Sequence, residues 1–215
     1  MQNIQTYIIN LKKRTDRKDH ILKEFLGREE FNLDVVEACE HESGAIGLWN
    51  TIRHILQSQV RDEEYIIICE DDHQFTKHYS KELLSKSIRS ASLKGADVLV
   101  GGASWFNSAL QISSDLFWIE KFSGLQFCIL FKKFYKTILN ADFKEGDAAD
   151  YKISALTKDK LLIHPFISTQ KEFGYSDITR KNNDNEGYVT QIFSDSSEKL
   201  NQLREVALFY NLEHK

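Results

Sequence analysis

Two kinds of apolar pattern alternate along the first hundred residues. Tyr7–Leu11 and Tyr65–Glu70 are short, nearly unbroken apolar runs, and Phe31–Ala38 (FNLDVVEA) reads as a strand between them. Runs of this length, rich in β-branched and aromatic residues, predict strands buried on both faces. Charged stretches with apolar residues at helical spacing lie between them. Ile21, Leu22, Phe25 and Leu26 predict a helix over 15–27 that stops at Gly27. Leu48, Ile52, Ile55 and Leu56 predict a second helix, capped by Ser43 and running to Val60. A third helix over Ser80–Leu93, then Gly95 and a strand Ala96–Val100, continue the alternation. Connections long enough to hold helices predict a mainly parallel central sheet flanked by helices, an α/β fold.

After Gly102 the rhythm changes. Phe117–Phe122 and Leu125–Phe131 predict two more strands, Lys132–Asn140 and Ala148–Leu156 helices, and Leu161–Ile163 a short strand. Thr179–Glu186 is strongly polar and reads as a surface loop. Ser196–Leu212 reads as a closing amphipathic helix. Its apolar face either docks on the domain or meets an acceptor membrane or a second copy. With no repeat, low-complexity tract or linker, residues 1–215 are expected to form one domain. Residues 1–102 would be its first half and 103–215 its second.

Composition narrows the class. The chain has 215 residues, 28 Lys+Arg against 32 Asp+Glu, and a formal net charge of −4. That balance argues against a dedicated nucleic-acid binder. With 41% hydrophobic and 28% charged residues, it has globular rather than disordered composition. Three cysteines without CxxC spacing exclude a zinc motif, and Cys69 and Cys128 in apolar runs read as buried free thiols. The N-terminal residues carry no apolar stretch of signal-peptide length, and no apolar run is long enough to span a bilayer. A cytoplasmic protein is therefore expected. There is one proline, Pro165, directly after His164. It restricts His164 to extended geometry.

The chemistry concentrates in Glu70-Asp71-Asp72, at the carboxyl end of the clearest strand. Ligands of open α/β sheets bind outside these ends. Three adjacent acids repel one another unless a cation or donors offset them. If the chain stays extended, Glu70 and Asp72 project to one side. Two carboxylates there suit Mg²⁺ or Mn²⁺ holding a diphosphate. The alternative is a solvated acidic turn. A phosphatase-like nucleophile motif would want a glycine that Glu-Asp-Asp-His-Gln lacks.

YIINLKKRTDRKDHI, GAIGLWNTIRHIL and YIIICEDDHQF together resemble glycosyltransferase family 25, the lipooligosaccharide and collagen galactosyltransferase type. The matching features are Ile9-Asn10-Leu11 with Arg14 and Asp16-Arg17, the Gly44-x-x-Gly47 helix opening, and the strand into Glu-Asp-Asp. Weaker matches are Gly124–Leu130, Asp150 with Asp147 as its neighbour, His164-Pro165, and Tyr175-Ser176-Asp177-Ile178. The chain departs at Thr51-Ile52, where the family commonly has Ser-His, with His54 two residues on. It departs again at Ala38-Cys39-Glu40-His41, where the family often has a glycine.

The resemblance implies a GT-A type fold and a metal-dependent inverting glycosyltransferase. Such an enzyme moves a hexose, galactose being one candidate, from a UDP-sugar to a bacterial cell-surface glycan or lipooligosaccharide precursor. Asn10, Arg14, Arg17, Glu70 and Asp71 would bind the nucleotide sugar, although either arginine also reads as a surface helix charge. Asp72 and Glu70, with His164 as third ligand, would hold Mn²⁺ or Mg²⁺. Inversion needs a base opposite the leaving group. Asp150 is the first candidate, Asp147 the reserve and Glu145 nearby, and the alternative for all three is helix capping. Trp105, Phe106, Phe117 and Trp118 would form an acceptor platform or belong to the core. The partners would be a nucleotide-sugar donor and a glycan or lipid-linked acceptor at the inner face of the membrane, with no nucleic acid. Two other readings stand beside this one: a non-catalytic glycan- or partner-binding member of the fold, and a metal-dependent phosphohydrolase.

Overall fold

The computed structural model describes residues 3–60, 62–174, 187–210 and 212. Tyr175–Ile178 and the polar Thr179–Glu186 stretch lie outside the described residues. The chain begins β1 (Ile4–Asn10), α1 (Thr15–Glu24), β2 (Phe31–Glu37) and α2 (Gly44–His54). One π-helical turn, Ile55–Gln59, extends α2. Then come β3 (Tyr65–Glu70), β4 (His73–Phe75), α3 (Lys81–Leu93), β5 (Val98–Val100), β6 (Trp105–Phe106) and β7 (Ala109–Ser113). The remaining elements are β8 (Leu116–Ile119), β9 (Phe122–Ser123), β10 (Phe127–Phe131), α4 (Lys132–Asn140), α5 (Ala149–Ala155), β11 (Lys160–Ile163), β12 (Ser168–Gln170) and α6 (Tyr188–Phe209).

Eight strands form the main sheet, in the order β2-β1-β3-β10-β5-β11-β8-β7. The first three are parallel, as the alternation of strands and helices requires. Six of the eight strands share one direction, as expected, and the sheet is mixed because two strands run against them. β10 enters between β3 and β5 and runs against both, and β8 runs against β11 and β7. The main-sheet strand after β5 does not take the neighbouring place, because a β7–β8 hairpin first extends the far edge. The pattern of a strand does not encode the slot it fills.

Alternation along each strand builds two cores. In β3, Ile66 and Ile68 face one side of the sheet, while Ile67 and Cys69 face the other. β1 divides likewise, with Tyr7 and Ile9 on one side and Ile4 and Ile8 on the other. The first side is covered by α2, α4, α5 and α6 through Trp49, Ile52, Phe134, Ile153 and Phe193. The second is covered by α1 and α3 through Ile21, Leu84 and Ile88. Each isoleucine buried here contributes about 1.5–3 kcal/mol. That is consistent with β3, with three consecutive isoleucines, lying inside the sheet between β1 and β10. Cys69 and Cys128 are buried free thiols, while Cys39 is exposed.

Helix ends follow local chemistry in part. The Ser80 hydroxyl accepts the Leu83 N–H at 3.0 Å and caps α3. Gly27, at φ +77°, lies just beyond α1. Ser43 occupies the N-cap position of α2, but its side chain makes no capping bond. The expected strand over 117–122 is two, β8 and β9, separated at Glu120-Lys121. The closing helix begins at Tyr188, eight residues earlier than its charge pattern indicates. Among the described residues, no helix is long and apolar enough to cross a membrane.

Candidate active site

Because β1, β2 and β3 run parallel, their carboxyl ends meet at one edge of the sheet. A cleft of about 1030 Å³ opens there, lined by Ile9, Cys39 and Glu70 from those ends. This is the upper end of the usual range for ligand clefts, about 300–1,000 Å³. Gly44 and Ala45 bring in the N-terminus of α2; Trp105, Gly124 and the start of α5 form the opposite wall. Ile192 adds a contact from α6.

The three acids have three different fates. Glu70 shares parity with Ile66 and Ile68, so it points toward the α2–α5 side and into the cleft. Burial holds its carboxyl well above the usual range, and the charges of Asp72, Asp150 and Asp71 add to this. The chain turns at Asp71-Asp72 instead of staying extended. Asp71 also lines the cleft, but both its oxygens are engaged, accepting the Asn10 amide at 2.8 Å and Arg17 Nη1 at 3.0 Å. Asp72 lies with one oxygen 3.6 Å from the same Nη1, and its Oδ1 is buried without a hydrogen-bond partner. Burial pushes Asp72 up to about 7; Asp71 adds to the rise and Arg17 opposes it.

This geometry revises several sequence-derived roles. Asn10 is 4% exposed, and its amide donates to Asp71 and to the Arg14 carbonyl (3.1 Å), so it ties strand ends together and does not line the cleft. Arg14 takes the N-cap position of α1, and Lys13, from the same basic turn, lines the cleft in its place. Arg17 reaches the cleft but commits Nη1 to Asp71 and Asp72. His164 is 1% exposed and places Nε2 2.9 Å from Asn201 Oδ1. It does not line the cleft, and neither does Asp147, which accepts the Lys144 N–H and pairs with Lys152. In sequence both looked eligible because each ends or opens an element. The side of the sheet on which an element ends is a property of the tertiary fold.

Asp150 does line the cleft, near enough to Glu70 for its charge to help raise that carboxyl. Its Oδ2 accepts the Ser123 hydroxyl at 2.6 Å and the Gly124 N–H at 3.0 Å. Of the aromatic quartet, Trp105 reaches the cleft, with an edge contact to Tyr151 (6.2 Å, 72°). Phe106 and Phe117 are core, and Trp118 bonds the Lys158 carbonyl. Thr51, at the position where the resemblance expects serine, accepts the Cys39 N–H and donates to the Gly47 carbonyl, both at 2.8 Å. Gln170 and Phe173 were not legible as site residues, since they sit in a segment without periodicity. They reach the site because β12 pairs with β4, directly after the acids.

The donor set suits a hard divalent cation. Glu70 and Asp72 are two deep carboxylates, and Asp72 Oδ1 lacks any partner. Among the described residues, no group of three or more His, Cys, Asp or Glu converges on one point. A cation here would therefore complete its shell with water and ligand oxygens, as Mg²⁺ commonly does with one or two carboxylates and substrate phosphates.

The fold and cleft together define an α/β domain of a kind seen in solved structures of low sequence identity. A197 from STIV superposes with a TM-score of 0.55 at 11% identity, covering 82% of this chain and 87% of that one. UDP-glucose pyrophosphorylase in complex with UDP-glucose superposes with a TM-score of 0.50 at 10% identity, covering 91% and 81%. At these identities the likeness establishes the fold. No family model and no curated protein matches the chain.

Proposed function

We propose that the protein is a nucleotide-sugar-dependent glycosyltransferase of GT-A type and a member of glycosyltransferase family 25. It would move a hexose, with galactose the first to test, from a UDP-sugar to a cell-surface glycan precursor with inversion. One observation carries the reading: Glu70, Asp72 and Asp150 share one cleft at the carboxyl ends of β1–β3. The pyrophosphorylase that shares the fold was solved with UDP-glucose bound, which supports a ligand of that class here.

In this reading Glu70 and Asp72 hold Mn²⁺ or Mg²⁺, which when bound supplies Lewis-acid stabilisation of the leaving diphosphate. Lys13 adds positive charge in the same cleft. Asp150 receives the proton of the attacking acceptor hydroxyl. The Ser123 and Gly124 bonds fix Oδ2, leaving further lone-pair positions on the carboxylate for that proton. Trp105 and Tyr151 offer aromatic faces to the C–H face of a sugar ring.

A second reading has one specific observation in its favour. Asp150 is so well engaged by Ser123, Gly124 and the Tyr151 N–H (2.8 Å) that it can serve as a structural cap in a glycan- or partner-binding protein.

Thermal denaturation with a panel of nucleotides and UDP-sugars, with and without Mn²⁺, tests the proposal. A ligand that binds only the folded state raises Tm by mass action. Stabilisation by UDP that needs metal, followed by UDP release with an acceptor present, supports transfer. No response to any nucleotide refutes it. Pyrophosphate release from UTP and a hexose 1-phosphate would identify a pyrophosphorylase instead, and turnover of a generic phosphomonoester a phosphohydrolase. Asp72→Asn should abolish metal-dependent stabilisation. Asp150→Asn should keep binding and lose transfer, whereas lost binding refutes its role as base.

A further inference from the structure

We infer that Asp71, Asn10 and Arg17 form a clamp whose task is to position Asp72, so that Asp71 and Arg17 are positioning residues and not donor ligands. This rests on the metal-binding reading of Glu70 and Asp72 above and assigns the groups that make it work. Asp71 is 8% exposed, and both its oxygens are occupied by the clamp, Oδ2 by Asn10 and Oδ1 by Arg17. The Arg17 nitrogen that bonds Asp71 at 3.0 Å also lies 3.6 Å from Asp72 Oδ2. One guanidinium is thus shared by two adjacent carboxylates, and it reduces their repulsion at the turn that would otherwise splay them apart.

The clamp is closed from outside as well. Arg17 is 9% exposed and lies against the Phe173 ring, 4.9 Å from its centroid. Lys171 donates its backbone N–H to the Asp72 carbonyl at 2.8 Å, which fixes the main chain of the same residue. Asp72 is therefore held at Oδ2 and at its backbone, while Oδ1 stays buried and without a partner. A side chain fixed at every point but one presents that oxygen in a single direction, as a ligating carboxylate requires. Asn10 joins the carboxyl end of β1 to this assembly. The clamp thereby couples the adjacent parallel strands β1 and β3 at the edge where the cleft opens.

Groups that orient a metal ligand from behind typically change metal affinity or activity by about 10–100-fold when altered. The test is Mn²⁺ binding followed by electron paramagnetic resonance, without nucleotide, on the full chain and on Asp71→Asn, Asn10→Ala and their double variant. Asp71→Asn is nearly isosteric and retains an acceptor for one bond; circular dichroism checks that it folds. Asn10→Ala removes the same link from the other side. The expected result is an affinity for Mn²⁺ reduced about 10-fold in each single variant and no further in the double, because both act through one linkage. UDP affinity at saturating Mn²⁺ should be unchanged. Wild-type Mn²⁺ affinity in Asp71→Asn overturns the clamp while leaving the metal reading intact. Loss of UDP binding at saturating Mn²⁺ would make Asp71 a direct nucleotide contact and overturn it too. If the unaltered protein binds no Mn²⁺, the metal reading fails, and the clamp with it.

Discussion

Replacing Gly47 with alanine sets helix propensity against packing. Gly47 sits in the fourth position of α2, where a helical Gly→Ala change ordinarily stabilises by about 1 kcal/mol. Here an added Cβ would stand 2.4 Å from the Cys39 carbonyl oxygen, against an ordinary contact of at least 3.4 Å. The helix and the exit of β2 would have to separate by about 1 Å. The obstacle is backbone, so it cannot rotate away. Thr51 also holds it in place, because its hydroxyl joins Cys39 to the Gly47 carbonyl. Overpacking of this kind costs about 1–3 kcal/mol, and a rigid obstacle puts it at the upper end. After the helix gain is subtracted, a net loss of about 2 kcal/mol remains. For a domain of this size that lowers Tm by about 4–8 °C. Calorimetry or urea denaturation measures it directly. The same displacement moves Gly44 and Ala45 at the cleft, so nucleotide stabilisation should weaken in the variant. An alanine variant as stable as the parent, or more so, would show that the close approach of α2 to the β2 exit is not as described.

Four further outcomes are expected. Alkylation should label Cys39 alone in the folded protein, because burial raises the Cys69 and Cys128 thiols and the thiolate is the reactive form. UDP with Mn²⁺ should slow that labelling, since Cys39 lines the cleft; labelling at an unchanged rate would place the nucleotide elsewhere. Ser80→Ala should destabilise by about 1 kcal/mol through loss of the α3 cap, and an unchanged Tm would count against the bond to Leu83. Burial lowers the His164 pKa, with Asn201 opposing and Arg204 assisting. The unfolded chain therefore takes up a proton below about pH 6.5 that the folded imidazole refuses, so this group's contribution to stability is lost as pH falls through that region. Compared with His164→Gln, the parent should lose stability more steeply below pH 6.5, and parallel curves would refute the assignment.

The positions that proved legible in sequence are those whose environment is local. The apolar run 65–70 could only be a strand buried on both sides, and the acids that follow it had to lie at the carboxyl edge of the sheet. Ser80 and Gly27 marked helix ends because capping and left-handed backbone depend on a few neighbouring atoms. Helical spacing placed α1, α2 and α3 within a few residues of their bounds, since one buried stripe fixes both period and face.

Tertiary structure decided the remainder, and in each case through a partner distant in sequence. Asn10 and Asp71, 61 residues apart, determine that the middle acid turns inward. β12 carries Gln170 to the acids, with Phe173 just beyond it, by pairing with β4. His164 ends a strand as expected, yet α6 supplies Asn201 to it, and no carboxylate from the cleft meets it. β10 splits the parallel order because it pairs on one side with β3 and on the other with β5, partners that its own apolar run does not specify. Sequence alone thus determined where most strands and helices run and where the acids gather, because hydrophobic period and strand direction are local properties; burial followed the pattern in β3 but not in β2 or at Leu26, which lie at the sheet edge and past the end of α1. Only the fold decided which acid is engaged by Asn10 and Arg17, which keeps an oxygen without a partner and which basic residue lines the cleft beside them, because those depend on contacts the chain makes after long excursions.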